Sequence, residues 1–195
     1  MGKGRLEAFS DGVLAVAITI MVLDLHVPRG ESARDLVPLI PVFLAFVLSF
    51  VNVGIFWNNH HHMLHTVTRV NGPILWANLH LLFWMSLVPF TLAWMDESHF
   101  GAMPCAVYGA VLFMAAIAYW VLQRCIIQSQ GPGSVLKRAV GSDWKGKLSP
   151  VLYGIGVAAA FVDKWISLSL YVVVSLMWLI PDRRIERVLV AEPDG

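Results

Sequence analysis

Charge is what this chain has least of. Only 14% of its 195 residues are Asp, Glu, Lys or Arg, where a soluble domain carries about 25%. Fourteen basic residues stand against thirteen acidic ones, a formal net charge of +1. With no basic excess there is no electrostatic footprint for nucleic acid. Cysteine is nearly missing: Cys105 and Cys125 share one apolar segment, twenty residues apart. On a helix rising about 1.5 Å per residue that is roughly 30 Å, too far for a bond within one chain. A disulfide scaffold and a paired-cysteine metal site are excluded, leaving two thiols used as small apolar side chains. There is no nucleophile elbow, no phosphate-binding glycine loop and no zinc-protease helix motif. The Gly-Tyr-Gly core of the common potassium filter is absent too, which excludes a conventional potassium pore.

Apolar side chain is what the sequence has in excess. Hydrophobic residues make up 57% of the chain and the mean hydropathy is +0.68. One soluble core could not use that much, and the surplus would face water as adhesive patches. Disorder needs the opposite composition. Eight Trp fit the aromatic belts of a bilayer interface. The fold class is therefore an all-α integral membrane protein in a lipid bilayer.

A spanning helix needs about 20 mostly apolar residues. Six candidate runs occur: 6–27, 36–58, 73–95, 103–127, 148–162 and 165–180. The first could pass for a signal-peptide core, but it lacks a small-residue cleavage site and contains Asp24, so it is kept as a membrane helix. The last two are split only by Asp163-Lys164, which predicts a helical hairpin turning at the membrane surface. Six spans put both termini on one side. If that side is the cytoplasm, it holds eleven of the fourteen Lys and Arg, leaving only Arg29, Arg34 and Lys164 outside. Gln128–Lys147 is then the one sizeable loop, and a short tail begins at about 182. The whole chain, 1–195, reads as one transmembrane domain.

The first helix breaks its apolar pattern with Arg5, Glu7 and Asp11. An ionised group at the bilayer centre costs about 2.5–3.5 kcal/mol, so Asp11 needs polar partners. At about 100° per residue, Val16, Ile20, Leu23 and Val27 form one stripe with Thr19 at its edge, and Asp11 lies about 140° from Val16. Periodicity alone leaves that stripe facing lipid, core or pore. A polar cluster follows: Trp57, Asn58, Asn59, His60, His61, His62 and His65, then Asn78 and His80. Three consecutive histidines cannot point one way. His61 and His65 have a spacing acceptable for a metal, but no carboxylate or Cys within the run completes a site. Hydrogen bonding across helices is the expected role, with pH gating open to them as titrating groups. Gly154-Ile155-Gly156 predicts close helix packing.

The opening block, Arg5, Phe9, Ser10 and Asp11 continuing to Thr19, resembles the transmembrane protein 175 family. So do Phe56-Trp57-Asn58-Asn59-His60-His61 and Leu75-Trp76-Ala77-Asn78-Leu79 through Pro89-Phe90-Thr91. These blocks cover about the first half of the chain. The resemblance implies six spans per subunit, a homotetramer with the first helices lining the pore, and a side-chain constriction. The matching positions are Val16, then Ile20 and Leu23, with Thr19 contributing to selectivity. Val16 is smaller than the Leu or Ile usual there. Arg5, Ser10, Asp11, His60 or His61, and Asn78, with Trp57 nearby, would form an interhelical polar network. The expected function is a passive, potassium-preferring cation channel in a prokaryotic plasma membrane, passing sodium less well and needing no cofactor. Two rivals stand beside it: a proton channel or proton-coupled transporter using Asp11 and the histidines, and a membrane metalloenzyme using His60, His61, His62 and His65.

Overall fold

The computed structural model describes residues 2–28, 30–141 and 143–179. Arg29 and the tail from about 182, with Arg183, Arg184 and Arg187, lie outside the described residues. Those described are helical over most of each apolar run. In order they are α1 (Lys3–Leu23), a 3-10 turn (Ala33–Leu39), α2 (Ile40–His65), α3 (Gly72–Ser86), α4 (Val88–Glu97), α5 (Ala102–Gln130), a 3-10 turn (Gly131–Gly133), α6 (Val135–Val140), α7 (Trp144–Ala159) and α8 (Lys164–Leu179). Four segments are long and apolar enough to cross a membrane: α1, the 3-10 turn with α2, α3 with α4, and α5 with the turn after it. Helices satisfy their own backbone groups, which a lipid environment demands.

Several boundaries differ from the sequence expectation. α1 stops at Leu23, four residues early, because Asp24 closes it with its N–H on Val22 O. α2 runs on to His65 and carries the whole histidine run as helix. The third apolar run is broken rather than continuous. Pro89 has no N–H to give to the preceding turn, so the chain passes through Leu87 as the end of α3 and the entry to α4. The expected loop 128–147 is largely ordered. Ser134 caps α6 by accepting from Lys137 N, and Gly131 and Gly141 supply the positive φ angles, 68° and 56°, that end α5 and α6. Gln130 Nε2 donates to Thr66 O, tying this segment to the end of α2. Asp163 caps α8 through Trp165 N at 2.7 Å, which closes the α7–α8 hairpin.

α5 is the hub. It packs on α3, α4, α7 and α8, and Leu112, Ala115, Ala118, Leu122 and Ile126 on it are wholly buried. Lipid tails are as apolar as Leu, so helices in a membrane associate through close packing and hydrogen bonds. Tyr171 of α8 shows both. Its ring fills the space where a side chain on Gly109 of α5 or Gly156 of α7 would sit. Its hydroxyl donates to Cys105 O at 3.2 Å. Of the Gly154–Gly156 pair only Gly156 is used this way; Gly154 meets open space apart from the edge of Phe113.

Candidate functional site

α1 divides into two faces. Leu6, Ser10, Leu14, Ala17 and Met21 are buried against the rest of the chain, a spacing of four, four, three and four that keeps one side of a helix. Among the described residues, the other side is left largely uncovered. There Val16 is 55% exposed, Ile20 43% and Leu23 79%. Phe9 lies on this face too, half exposed, and with Val16, Ile20 and Asp24 it borders an open groove toward Pro89, Phe90 and Ala93 of α4. Thr19 donates its hydroxyl proton to Ala15 O and Val16 O, each at 3.0 Å. Its oxygen lone pairs are left for what lies outside the helix.

The buried face carries a three-helix relay. Ser10 Oγ donates to Leu6 O at 2.8 Å within α1. Asn78 Nδ2 of α3 donates to Ser10 Oγ at 3.0 Å. The Asn78 carbonyl is then the acceptor, so His60 Nε2 of α2 is the donor, at 2.6 Å. Ser10, Asn78 and His60 are nearly inaccessible, so each would be costly to leave unpaired. Asp11, half-buried one step around α1, accepts from Trp57 Nε1 at 2.8 Å. His61 stacks on Trp57 with centroids 6.1 Å apart and meets His65 edge-on at 4.4 Å.

Of the expected network, the fold thus joins Ser10, Asn78 and His60, and separately Asp11, Trp57 and His61. It does not bring Arg5 in: Arg5 is exposed, and its side chain makes no hydrogen bond or ion pair among the described residues. Phe9 faces away. Two further charged residues, outside the expected network, stand at this end. Lys3 Nζ donates to His65 O at 2.8 Å and lies 4.0 Å from Glu7. Glu7 Oε1 is buried with no hydrogen-bond partner. The i,i+4 spacing of Lys3 and Glu7 was the available signal. Among the described residues, no group of three or more His, Cys, Asp or Glu could hold a metal ion. The metalloenzyme reading therefore finds no ligand set there.

A second polar cluster also went unread. Ser49 and Asn52 of α2 reach the Tyr108 hydroxyl of α5 at 3.0 and 3.4 Å, and Ser175 of α8 donates to Asn52 Oδ1 at 2.8 Å. At the opposite end of α1, Asp24 meets Asp96, Glu97 and His26. Partial burial and the two nearby carboxylates raise the Asp24 pKa above its ordinary value, and His26 opposes that. His26 Nδ1 is 3.0 Å from Asp96 Oδ2. Asp35 does something else: it accepts from Ser32 N in a capping box of the first 3-10 turn.

Comparison with known proteins adds to this geometry. Residues 5–89 match the family model described as endosomal/lysosomal potassium channel TMEM175. A potassium channel of Chryseobacterium sp. (strain P1-3) is 54% identical over 189 residues, covering 97% of this chain and 98% of that one. The likeness therefore extends through the second half. The crystal structure of a lysosomal potassium-selective channel TMEM175 homolog from Chamaesiphon minutus superposes with a TM-score of 0.77. It is 26% identical and covers 92% of this chain and 97% of that one. The endosomal/lysosomal proton channel TMEM175 of Bos taurus is 29% identical over 149 residues, 67% of this chain but 31% of its own length.

Proposed function

The chain belongs to the TMEM175 family, and from that premise we propose that it is a passive, potassium-preferring cation channel. The full chain, 1–195, forms one six-span subunit. Four subunits surround a pore lined by α1, in a prokaryotic plasma membrane with both termini in the cytoplasm. The reading is one of transport, not of catalysis.

One observation carries it. α1 is bound to its own subunit on one face only, and Val16, Ile20 and Leu23 are left on the other. In a ring of four such helices Val16 would be the constriction, with Ile20 and Leu23 beyond it. A neck of branched apolar side chains gates by dewetting, so an ion passes only when it sheds part of its hydration shell. Potassium sheds water at lower cost than sodium. Thr19, whose proton is held by its own helix, offers an oxygen one turn along. That is a sparse replacement for hydration water, so the preference over sodium is modest. Asp24, Asp96 and Glu97 at the outer mouth would raise the local cation concentration. The Ser10–Asn78–His60 relay fixes how α1 is rotated, which decides whether Val16 points at the axis.

The test is voltage-driven flux into liposomes. Potassium should enter ahead of sodium without a pH gradient, and Val16→Asn should raise conductance or blur selectivity. If Val16→Asn leaves both untouched, Val16 is not the constriction. A second reading, proton conduction, rests on the Asp11–Trp57–His61–His65 alignment. Flux that requires a pH gradient and disappears in Asp11→Asn would favour it.

A further inference from the structure

A cavity lies inside the subunit, away from the free face of α1, between α2, α5, α7 and α8. It is partly enclosed and opens to the outside at its rim. Phe56, Trp120, Tyr153 and Trp178 supply most of the wall, with Asn59, Gln123 and Asp143 among them. An aromatic wall alone would be ordinary helix packing. The polar groups make the difference. Gln123 is 6% exposed and Tyr153 2%. Neither the Gln123 amide nor the Tyr153 hydroxyl makes a hydrogen bond among the described residues, and both line this space. Asn59 gives its Nδ2 to Ile55 O, which leaves its Oδ1 free. None of the three is sealed off from the cavity, so each is open to whatever that space holds, water included. Three such groups around one cavity suit it to a polar occupant.

The charge of that occupant follows from the wall. Asp143 is the one ionisable acid or base in the lining among the described residues. It caps α7 through Oδ1, accepting from Gly146 N at 3.1 Å, and makes no ion pair among the described residues. The indoles beside it already take cations on their rings: Arg124 lies 5.1 Å from the Trp120 ring centroid, and Lys145 Nζ 5.8 Å from that of Trp178. Neither basic residue lines the cavity. A carboxylate, amide and phenol oxygens, and indole and phenol rings are together what a protonated amine on an apolar body requires. We propose that this cavity binds a small organic ammonium. The charged head would lie between Asp143 and the Gln123 and Asn59 carbonyls, with the body against Phe56, Tyr153 and Trp178.

The site is independent of the pore, so its test reads binding and not flux. Benzylammonium chloride is titrated into the full chain in lipid nanodiscs by isothermal titration calorimetry, beside neutral benzyl alcohol. Saturable binding of the amine is expected, with the alcohol weaker by roughly tenfold or more. Asp143→Asn keeps the oxygen that caps α7 and removes only the charge; it should weaken the amine by roughly tenfold or more. Gln123→Leu removes the amide from the facing wall at similar bulk and should weaken it too. No saturable heat, meaning the cavity holds water alone, would overturn the proposal. So would equal affinity for the alcohol, or affinity unchanged in both variants, which would put the amine elsewhere, such as the groove beside α1.

Discussion

α1 and α5 are both apolar membrane helices, and the chain treats them in opposite ways. In α1 28% of the most apolar stretch is buried, in α5 50%. α5 is held on several sides by its own subunit, so its residues are chosen to fit. α1 is held on one side, so half its residues answer to something else. What differs is the pattern of small and polar residues, not hydrophobicity. α5 has Gly109 under Tyr171 and a wholly buried row from Leu112 to Ile126. α1 has Lys3, Ser10 and Asp11 fastened to neighbouring helices, and a row of branched residues left exposed. A helix can thus be a structural part on one face and a working surface on the other.

The sharpest way to break this contrast is at the hub. Gly109→Val should push Tyr171 out of its slot and lose the Cys105 bond. Overpacking of this kind costs about 1–3 kcal/mol, and the variant should melt well below the parent in detergent; an unchanged melting temperature would mean that Tyr171 moves freely. Next comes the buried fastening of α1. Asn78→Leu leaves His60 Nε2 unpaired in a buried site and takes from Ser10 the bond it accepts, and a stranded buried polar group costs about 1–3 kcal/mol. Thermal unfolding should show that loss, and flux should fall with it because α1 is no longer held at one rotation. On the free face the order reverses. Val16→Asn should shift subunit stability by no more than about 0.5 kcal/mol, as a surface substitution does, while changing flux. A large stability loss there would place Val16 in a core and undo the contrast.

The smallest effect belongs to the acidic end of α1, the outer mouth in the proposed channel. Asp24 holds its proton more tightly in the folded chain, since burial, Asp96 and Glu97 raise its pKa from 3.8. The folded chain therefore gains stability as pH falls through the raised value, and gains no more from this group below 3.8. Over the same window the mouth loses negative charge, so potassium flux should decline. Asp24→Asn should flatten that part of the pH profile and slightly lower flux at neutral pH. An identical profile in the variant would assign the titration to another group.

Much of this was legible in the residues. Asp11 had to be paired, and Trp57 pairs it. The stripe from Val16 to Leu23 had to face away from Asp11, and it does. The α3–α4 break was also written there, in Pro89, but an unbroken hydropathy run hid it. The cluster of Ser49, Asn52, Tyr108 and Ser175 was not legible, because Ser175 lies 123 residues along the chain from its partner Asn52. Nor was the cavity lined by Gln123 and Tyr153, which exists only where four helices fail to fill the space between them.

The sequence by itself determined that this is a bundle of membrane helices and that one side of α1 is apolar and branched. Composition and a period near 3.6 residues are local properties, and they survive any arrangement of the helices. Only the tertiary structure decided that His60, and not His61, reaches Asn78. Neighbouring residues on a helix point about 100° apart. Which one meets a partner depends on how α2 is rotated against α1 and α3, and packing between helices sets that rotation.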